Sequence, residues 1–294
     1  MLATNVNLST LRSLFHTKLT PLYEKREIDA FFFIYIEDKY NIKKHQYHLN
    51  HELEIAFEET DIEVLVKGSP IQYVTGNTTF CELKLAVNPS VLIPRPETEE
   101  LVTLILKNLT VLRSYGLTVL QSYCLKVTDI CTGSGAIAIA LAQYIENAEV
   151  WATDISEAAL ETAKKNAKLN NVKIKFLHHD ILNDDTSLLP HCVDIIVANP
   201  PYIPVSEMAE LHKNVVNYEP SAALFVPDEN PLIFYDAIAN AAKKILREGG
   251  VLYFETHEKY HSELTTLLLG KDFIEITLWN DINGKPRFAS CKKL

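Results

Sequence analysis

Three observations in the 294 residues predict a doubly wound α/β fold. From Leu125 onward, short apolar runs alternate with segments of helical period, the pattern of a parallel sheet covered by helices on both faces. A glycine-rich turn, Cys131-Thr132-Gly133-Ser134-Gly135, joins the first run to the first of these helices. The last two apolar runs, 273–278 and 287–291, flank Asn283-Gly284, a hairpin signal that closes the sheet with an antiparallel pair.

In chain order, residues 8–67 read as helices. Leu11, Leu14, Phe15, Leu19 and Leu22 recur at helical spacing, with Ser9 placed to cap. Pro21 interrupts, a second helix spans 28–40, and a third ends near Lys67, where Gly68 and Pro70 supply a stop. This region carries no glycine-rich loop, acid pair or nucleophile, so docking or stability is expected of it. Segments 79–80 and 83–87 read as a hairpin around Cys81-Glu82. Prolines 94 and 96 then mark a boundary. The expected organisation is a helical bundle over 1–70, a hairpin linker over 71–92 and an α/β domain over 93–294. Glu97, Thr98 and Glu99 open a helix, a favourable place for carboxylates and a hydroxyl cap. Stretch 110–124 reads equally as helix extension or loop. Beyond it, strands are predicted at 126–129, 149–153, 173–178, 193–198 and 251–255. Helices are predicted at 136–145, 157–169 (capped by Ser156), 231–247 (Pro231 first) and 259–268.

Composition excludes several classes. With 47% hydrophobic and 22% charged residues, the chain has the balance of a globular enzyme with ample core. No apolar run is long enough to span a bilayer, and no signal peptide is legible, so a cytoplasmic location without membrane attachment is expected. Five dispersed cysteines argue for reduced thiols, and neither they nor the ten histidines show metal-ligand spacing; no metal is expected. A net charge of −10 disfavours gripping a polyanion and favours a small-molecule or protein substrate.

The most informative stretch is the run 193–198 and its continuation, Asn199-Pro200-Pro201-Tyr202. Two prolines end the strand and hold the chain extended. The side-chain oxygen of Asn199 and the carbonyl of Pro200 are acceptors that suit the two N–H bonds of one NH2 group. Tyr202 offers a flat face for a planar amide or base. The set reads as a clamp for an amino group on a planar system; the plainer alternative is a proline-rich turn after a strand. At the other end of the site, Asp154 stands about twenty residues beyond the glycine turn, where a carboxylate accepts from ribose hydroxyls. The turn and Asp154 suit NAD and S-adenosylmethionine alike. Asp180 either takes an adenine amino group or caps the next turn. The clamp decides between the cofactors. A dehydrogenase needs a proton-transfer group beside its nicotinamide, and none follows the fourth strand, whereas an NH2 clamp fits methyl transfer to nitrogen. Glu255, near the crevice, reads as structural more than catalytic.

The strand pattern is the outline of a class I S-adenosylmethionine-dependent methyltransferase, Rossmann-like with a seven-stranded mixed sheet. Ser69-Pro70-Ile71-Gln72-Tyr73-Val74-Thr75-Gly76, followed by 91–99 with its Ile93-Pro94-Arg95-Pro96-Glu97-Thr98-Glu99, resembles the linker signature of the HemK/PrmC family. The run 129–138, Asn199-Pro200-Pro201-Tyr202 and Asp281 to Arg287 are similar as well, so the resemblance spans nearly the whole chain. The resemblance implies a peptide-chain release factor N5-glutamine methyltransferase acting on the glutamine of a Gly-Gly-Gln loop in class I release factors. It implies S-adenosylmethionine held by Cys131, Thr132, Gly133, Ser134, Gly135, Asp154, Asp180, Ile181 and Asn199, and released as S-adenosylhomocysteine. Asn199, Pro200 and Tyr202 are the expected catalytic set, with Pro201 lining the substrate site. A monomer is expected. Two departures stand out: Cys131 replaces the family's first glycine, which would set the backbone slightly farther from the cofactor, and stretch 110–124 is long. The alternatives are a DNA or RNA adenine-N6 methyltransferase using the same clamp, which lacks a visible basic groove here, and a non-catalytic translation-factor binding module, against which the intact Asn199 and Asp154 argue.

Overall fold

The computed structural model describes residues 4–114, 124–183 and 185–294. The chain forms two compact units, Met1–Asn77 with His212–Tyr218, and Thr78–Leu211 with Glu219–Leu294.

The first unit opens with β1 (Thr4–Asn7) and α1 (Leu8–Leu19), followed by α2 (Lys25–Tyr40) and the short α3 (Lys44–Tyr47). Next come β2 (Glu54–Phe57), antiparallel to β1, then α4 (Glu59–Val66) and α5 (Ile71–Thr75). Two details correct the sequence reading. The cap of α1 is Asn7, whose side chain accepts from the Thr10 amide at 2.8 Å, while Ser9 already lies inside the helix. The β1–β2 pair breaks what read as an all-helical stretch; β2 alternates exposed and buried positions, but over four residues only, and β1 does not alternate. Phe15, Phe32 and Tyr35 are fully buried; Phe15 meets Phe32 edge-on with centroids 5.8 Å apart and Tyr35 at a tilt, 5.4 Å apart.

The second unit begins with the hairpin β3 (Asn77–Phe80) and β4 (Leu83–Ala86), then α6 (Pro96–Ser114). Of the ambiguous stretch 110–124, the part up to Ser114 continues this helix, and 115–123 lies outside the described residues. The alternation that follows is β5 (Lys126–Ile130), α7 (Ala136–Tyr144), β6 (Glu149–Asp154), α8 (Glu157–Leu169), β7 (Ile174–His178) and β8 (Val193–Ala198). Between β8 and the next long helix, where sequence patterning assigns nothing, run β9 (Ile203–Pro204), α9 (Lys213–Tyr218), which belongs to the first unit, and β10 (Phe225–Val226). The chain ends with α10 (Ile233–Ile245), β11 (Leu246–Glu255), α11 (His261–Gly270), β12 (Phe273–Asn280) and β13 (Pro286–Lys293). Pro231 precedes α10 by two residues and does not occupy its first position.

Seven strands form one sheet in the order β12-β13-β11-β8-β5-β6-β7, parallel from β11 to β7, with β13 antiparallel to both neighbours. This is the expected mixed sheet. β8 is buried at every position, and its side chains alternate: Ile195 and Val197 enter one core, Ile196 and Ala198 the other. Because β6 and β7 lie on one side of β5 and β8 on the other, the order reverses between β5 and β8. A ligand crevice forms at the carboxyl ends on either side of such a reversal.

One buried side chain ties the hairpin to this crevice. Asn166 of α8, fully buried, accepts from the Ala86 amide at 2.7 Å and donates at 2.9 Å to the carbonyls of Ala86 and Ser134. Removing it leaves three backbone groups without a partner. Asn166→Ala is therefore expected to cost about 2–4 kcal/mol of stability, read as a shift of the urea unfolding midpoint; a loss below about 1 kcal/mol would mean that water replaces the side chain freely.

Candidate active site

The register puts the functional side chains at one height. Ile130 of β5 pairs with Ala198 of β8, and Ala198 pairs with Phe254 of β11. The residues that follow, Cys131, Asn199 and Glu255, thus leave three adjacent strands side by side. Thr153 pairs with Ile130, so Asp154 ends the fourth strand at the same level.

The glycine turn is held from beneath by Asp129. One carboxylate oxygen of this fully buried residue accepts from the Thr132 hydroxyl at 2.6 Å and the Ala138 amide at 3.1 Å. The other has no partner among the described residues. The two glycines do different work. Gly133, at φ +54, faces open space where a Cβ would meet nothing within 4 Å. Gly135, at φ +82, packs so closely on α8 that a Cβ would lie 3.0 Å from that of Ala163. Cys131 takes φ +63, a conformation natural to glycine. The turn therefore keeps the backbone path of a glycine at a cost of about 1–2 kcal/mol.

Asp154 accepts from the Gly133 amide at 2.8 Å and the Ser156 amide at 2.9 Å, one bond to each oxygen. Burial raises its pKa against these amides. Asp180 caps its own turn: its oxygens accept from the Leu182 amide at 3.0 Å and from Asn183 Nδ2 at 3.1 Å. It also borders the cavity.

A cavity of about 460 Å³ runs over these strand ends, within the range of small-ligand pockets. Cys131, Thr132, Gly133, Ser134, Asp154, Asp180, Ile181, Asn199 and Pro201 all line it. Gly135, Pro200 and Tyr202 do not: Pro200 is buried, and the Tyr202 ring stands edge-on to His257 with centroids 6.0 Å apart. Sequence reasoning missed other walls. Ile155, directly after Asp154, is 57% exposed and adds an apolar wall to the cavity. Pro220, Ala223 and Phe225 come from the irregular stretch after β8, which has no periodicity to reveal it. Arg95 also lines the cavity and pairs at 2.6 Å with Glu219, which is 1% exposed in its side chain and accepts from the Ile93 amide as well.

Beside Asn199 lies a buried polar set. Asn199 Nδ2 donates to Thr98 Oγ1 at 3.2 Å, and that hydroxyl donates to Glu255 at 2.7 Å. The Tyr202 hydroxyl donates to the other oxygen of Glu255 at 3.1 Å. Burial raises the pKa of Glu255, opposed by these two hydroxyls and by Arg287. The hydroxyl of Thr98, expected to cap α6, is instead spent on this contact. Among the described residues, no donor reaches Asn199 Oδ1 or the Pro200 carbonyl, and no group of three or more His, Cys, Asp or Glu is placed to hold a metal ion.

A methyltransferase small domain model matches residues 117–218. A release factor glutamine methyltransferase of Flavobacterium psychrophilum is 42% identical over 281 residues, covering 94% of this chain and 95% of that protein. The chain belongs to the release factor glutamine methyltransferase family. A member from Bacteroides thetaiotaomicron is 40% identical over 229 residues, 78% of each chain. Among solved structures, a Thermus thermophilus 16S rRNA N2 G1207 methyltransferase in complex with AdoMet and guanosine is 21% identical with a TM-score of 0.50, covering 74% of this chain and 50% of that one. That likeness shows the class I methyltransferase fold. Among the described residues, no helix is long and apolar enough to cross a membrane.

The Asp129 carboxyl, pushed up to about 7 by burial from an ordinary value of 3.8, gives a signed expectation. The fold holds its proton more tightly than the unfolded chain does. The stabilisation is full below the unfolded value and is lost as pH rises through about 7. Asp129→Asn does not titrate. The melting temperature of the variant relative to wild type should therefore climb between pH 4 and pH 8; a flat difference would show that the carboxylate ionises in the fold without penalty.

Proposed function

We propose that this chain transfers a methyl group from S-adenosylmethionine to the side-chain N5 of the glutamine in the Gly-Gly-Gln loop of class I release factors. The observation that carries this reading is the pair of acceptors at Asn199 and Pro200, which no donor reaches among the described residues, just past the end of the strand next to the glycine turn.

The residues fit the cofactor. Asp154 spends one bond per oxygen, on the Gly133 and Ser156 amides, leaving lone pairs for two ribose hydroxyls. Gly133 leaves room for close approach, and Ile155 and Ile181 offer apolar walls for a base beside Asp180. S-adenosylmethionine, when bound, supplies an electrophilic methyl group. The chain's own residues deal with the weak nucleophile. A carboxamide nitrogen has its lone pair delocalised into the carbonyl. Asn199 Oδ1 and the Pro200 carbonyl each accept one N–H of the substrate amide. Together they hold the nitrogen in place and favour the positive charge that develops on it as its lone pair takes the methyl group; the electron pair of the bond that breaks stays with the sulfur, and one N–H proton leaves to water. Tyr202, its hydroxyl tied to Glu255, packs behind the clamp. Residues 1–70 dock the body of the release factor, so that remote contacts supply orientation that a tripeptide cannot.

The test is methyl transfer to whole release factor, to a short peptide carrying the loop, and to duplex DNA. Whole release factor should react with a kcat/KM at least about a hundredfold above the peptide, DNA should not react, and Asn199→Ala should lower kcat about a hundredfold. Equal rates on peptide and protein would remove the docking role, and near-normal turnover by Asn199→Ala would remove the clamp.

A further inference from the structure

An amide side chain is two-faced: turned by 180°, Asn199 would present NH2 to the substrate and repel it. Something must choose the face, and the prolines act on the main chain only. The candidates are the groups that touch the Asn199 amide. Among the described residues, that amide's hydrogen bond goes to Thr98: Asn199 Nδ2 donates to Thr98 Oγ1 at 3.2 Å. The Thr98 hydroxyl has one proton and donates it to Glu255 Oε2 at 2.7 Å. Its oxygen can then only accept. In its carboxylate form, which the Thr98 and Tyr202 hydroxyls and Arg287 favour against burial, Glu255 has no proton to give back, and its other oxygen already accepts from Tyr202. Direction is therefore imposed from the carboxylate outward: Glu255 accepts, Thr98 passes the polarity on, and Asn199 must turn Nδ2 to Thr98 and Oδ1 away from it.

We propose that Thr98 is a positioning residue, which, oriented by Glu255, fixes the Asn199 amide with its oxygen toward the substrate nitrogen. The inference rests on the clamp reading above and adds a residue to it. Thr98 is 4% exposed and Glu255 2%, so water does not compete freely for these bonds. Both residues come from elements remote in sequence from Asn199, at the start of α6 and the end of β11. The contact is thus a consequence of the fold and not of local chain geometry. Where the polarity is lost, the amide samples both faces, and the fraction with nitrogen outward is unproductive. Such a loss lowers kcat while leaving the ribose end of the site alone.

The experiment is a double-mutant cycle on the full-length enzyme, with S-adenosylmethionine and whole release factor. Thr98→Val keeps the shape and removes the hydroxyl; it should lower kcat about tenfold to a hundredfold with unchanged S-adenosylmethionine affinity. Thr98→Ser restores the hydroxyl and should recover most of the rate. The pair Thr98→Val with Asn199→Ala should be no slower than Asn199→Ala alone, because Thr98 acts only through Asn199. Should Thr98→Val fail to bind S-adenosylmethionine through misfolding, Thr98→Ala is put through the same cycle. Losses that multiply, a Thr98→Ser variant as slow as Thr98→Val, or a normal kcat in Thr98→Val would each overturn the positioning role while leaving the clamp intact. Near-normal turnover by Asn199→Ala would overturn the clamp itself, and the positioning role with it.

Discussion

Everything at this site depends on four neighbouring strands ending at one height. The parallel register that pairs Ile130 with Ala198, and Ala198 with Phe254, sets Cys131, Asn199 and Glu255 abreast; the pairing of Ile130 with Thr153 adds Asp154. A slip by one residue in any of these strands would turn its terminal side chain to the opposite face. Alternating burial in β8 prevents the slip, since each of Ile195 to Ala198 belongs to one core or the other. Packing energy deep in the sheet is thereby converted into placement at its rim.

At the rim the chain accepts conformations and burials that cost free energy. Cys131 sits in the left-handed region with a side chain, and Asp129 is sealed from water with one oxygen unpaired. Both stand immediately around the glycine turn, and both shape it: Cys131 carries the path out of β5, and Asp129 pins Thr132 to the start of α7. Local strain that persists is held by the surrounding structure, and it concentrates where a ligand is bound.

The sequence made some of this legible and hid the rest for physical reasons. The strands of the second unit were readable because a buried parallel strand is a bare apolar run, and Val193–Ala198 is one. The glycine turn, Asp154 and Asn199 were readable because each is a residue type with a job at a strand's end. Thr98 read as a helix cap, since a hydroxyl in a first helical turn has a local use; only the fold reveals that it is turned to Glu255, 157 positions away. Asn166 looked like an ordinary helical polar residue until its three bonds across the unit were seen. The walls contributed by Pro220 to Phe225 carry no period, and β1 and β2 are four residues each, too short for a period to announce them. The residues themselves singled out Asn199 and the glycine turn, and the family resemblance agreed, but neither supplied the contacts behind them.

The central claim is that the clamp selects a carboxamide nitrogen. The most direct test is to incubate the enzyme with release factor and S-adenosylmethionine carrying an isotopically labelled methyl group, then locate the label by fragmenting the proteolysed product in a mass spectrometer. The account predicts one labelled methyl per release factor, on the side-chain nitrogen of the Gly-Gly-Gln glutamine. Label on a carboxyl oxygen or another side chain of the release factor, with that glutamine unmodified, would contradict it.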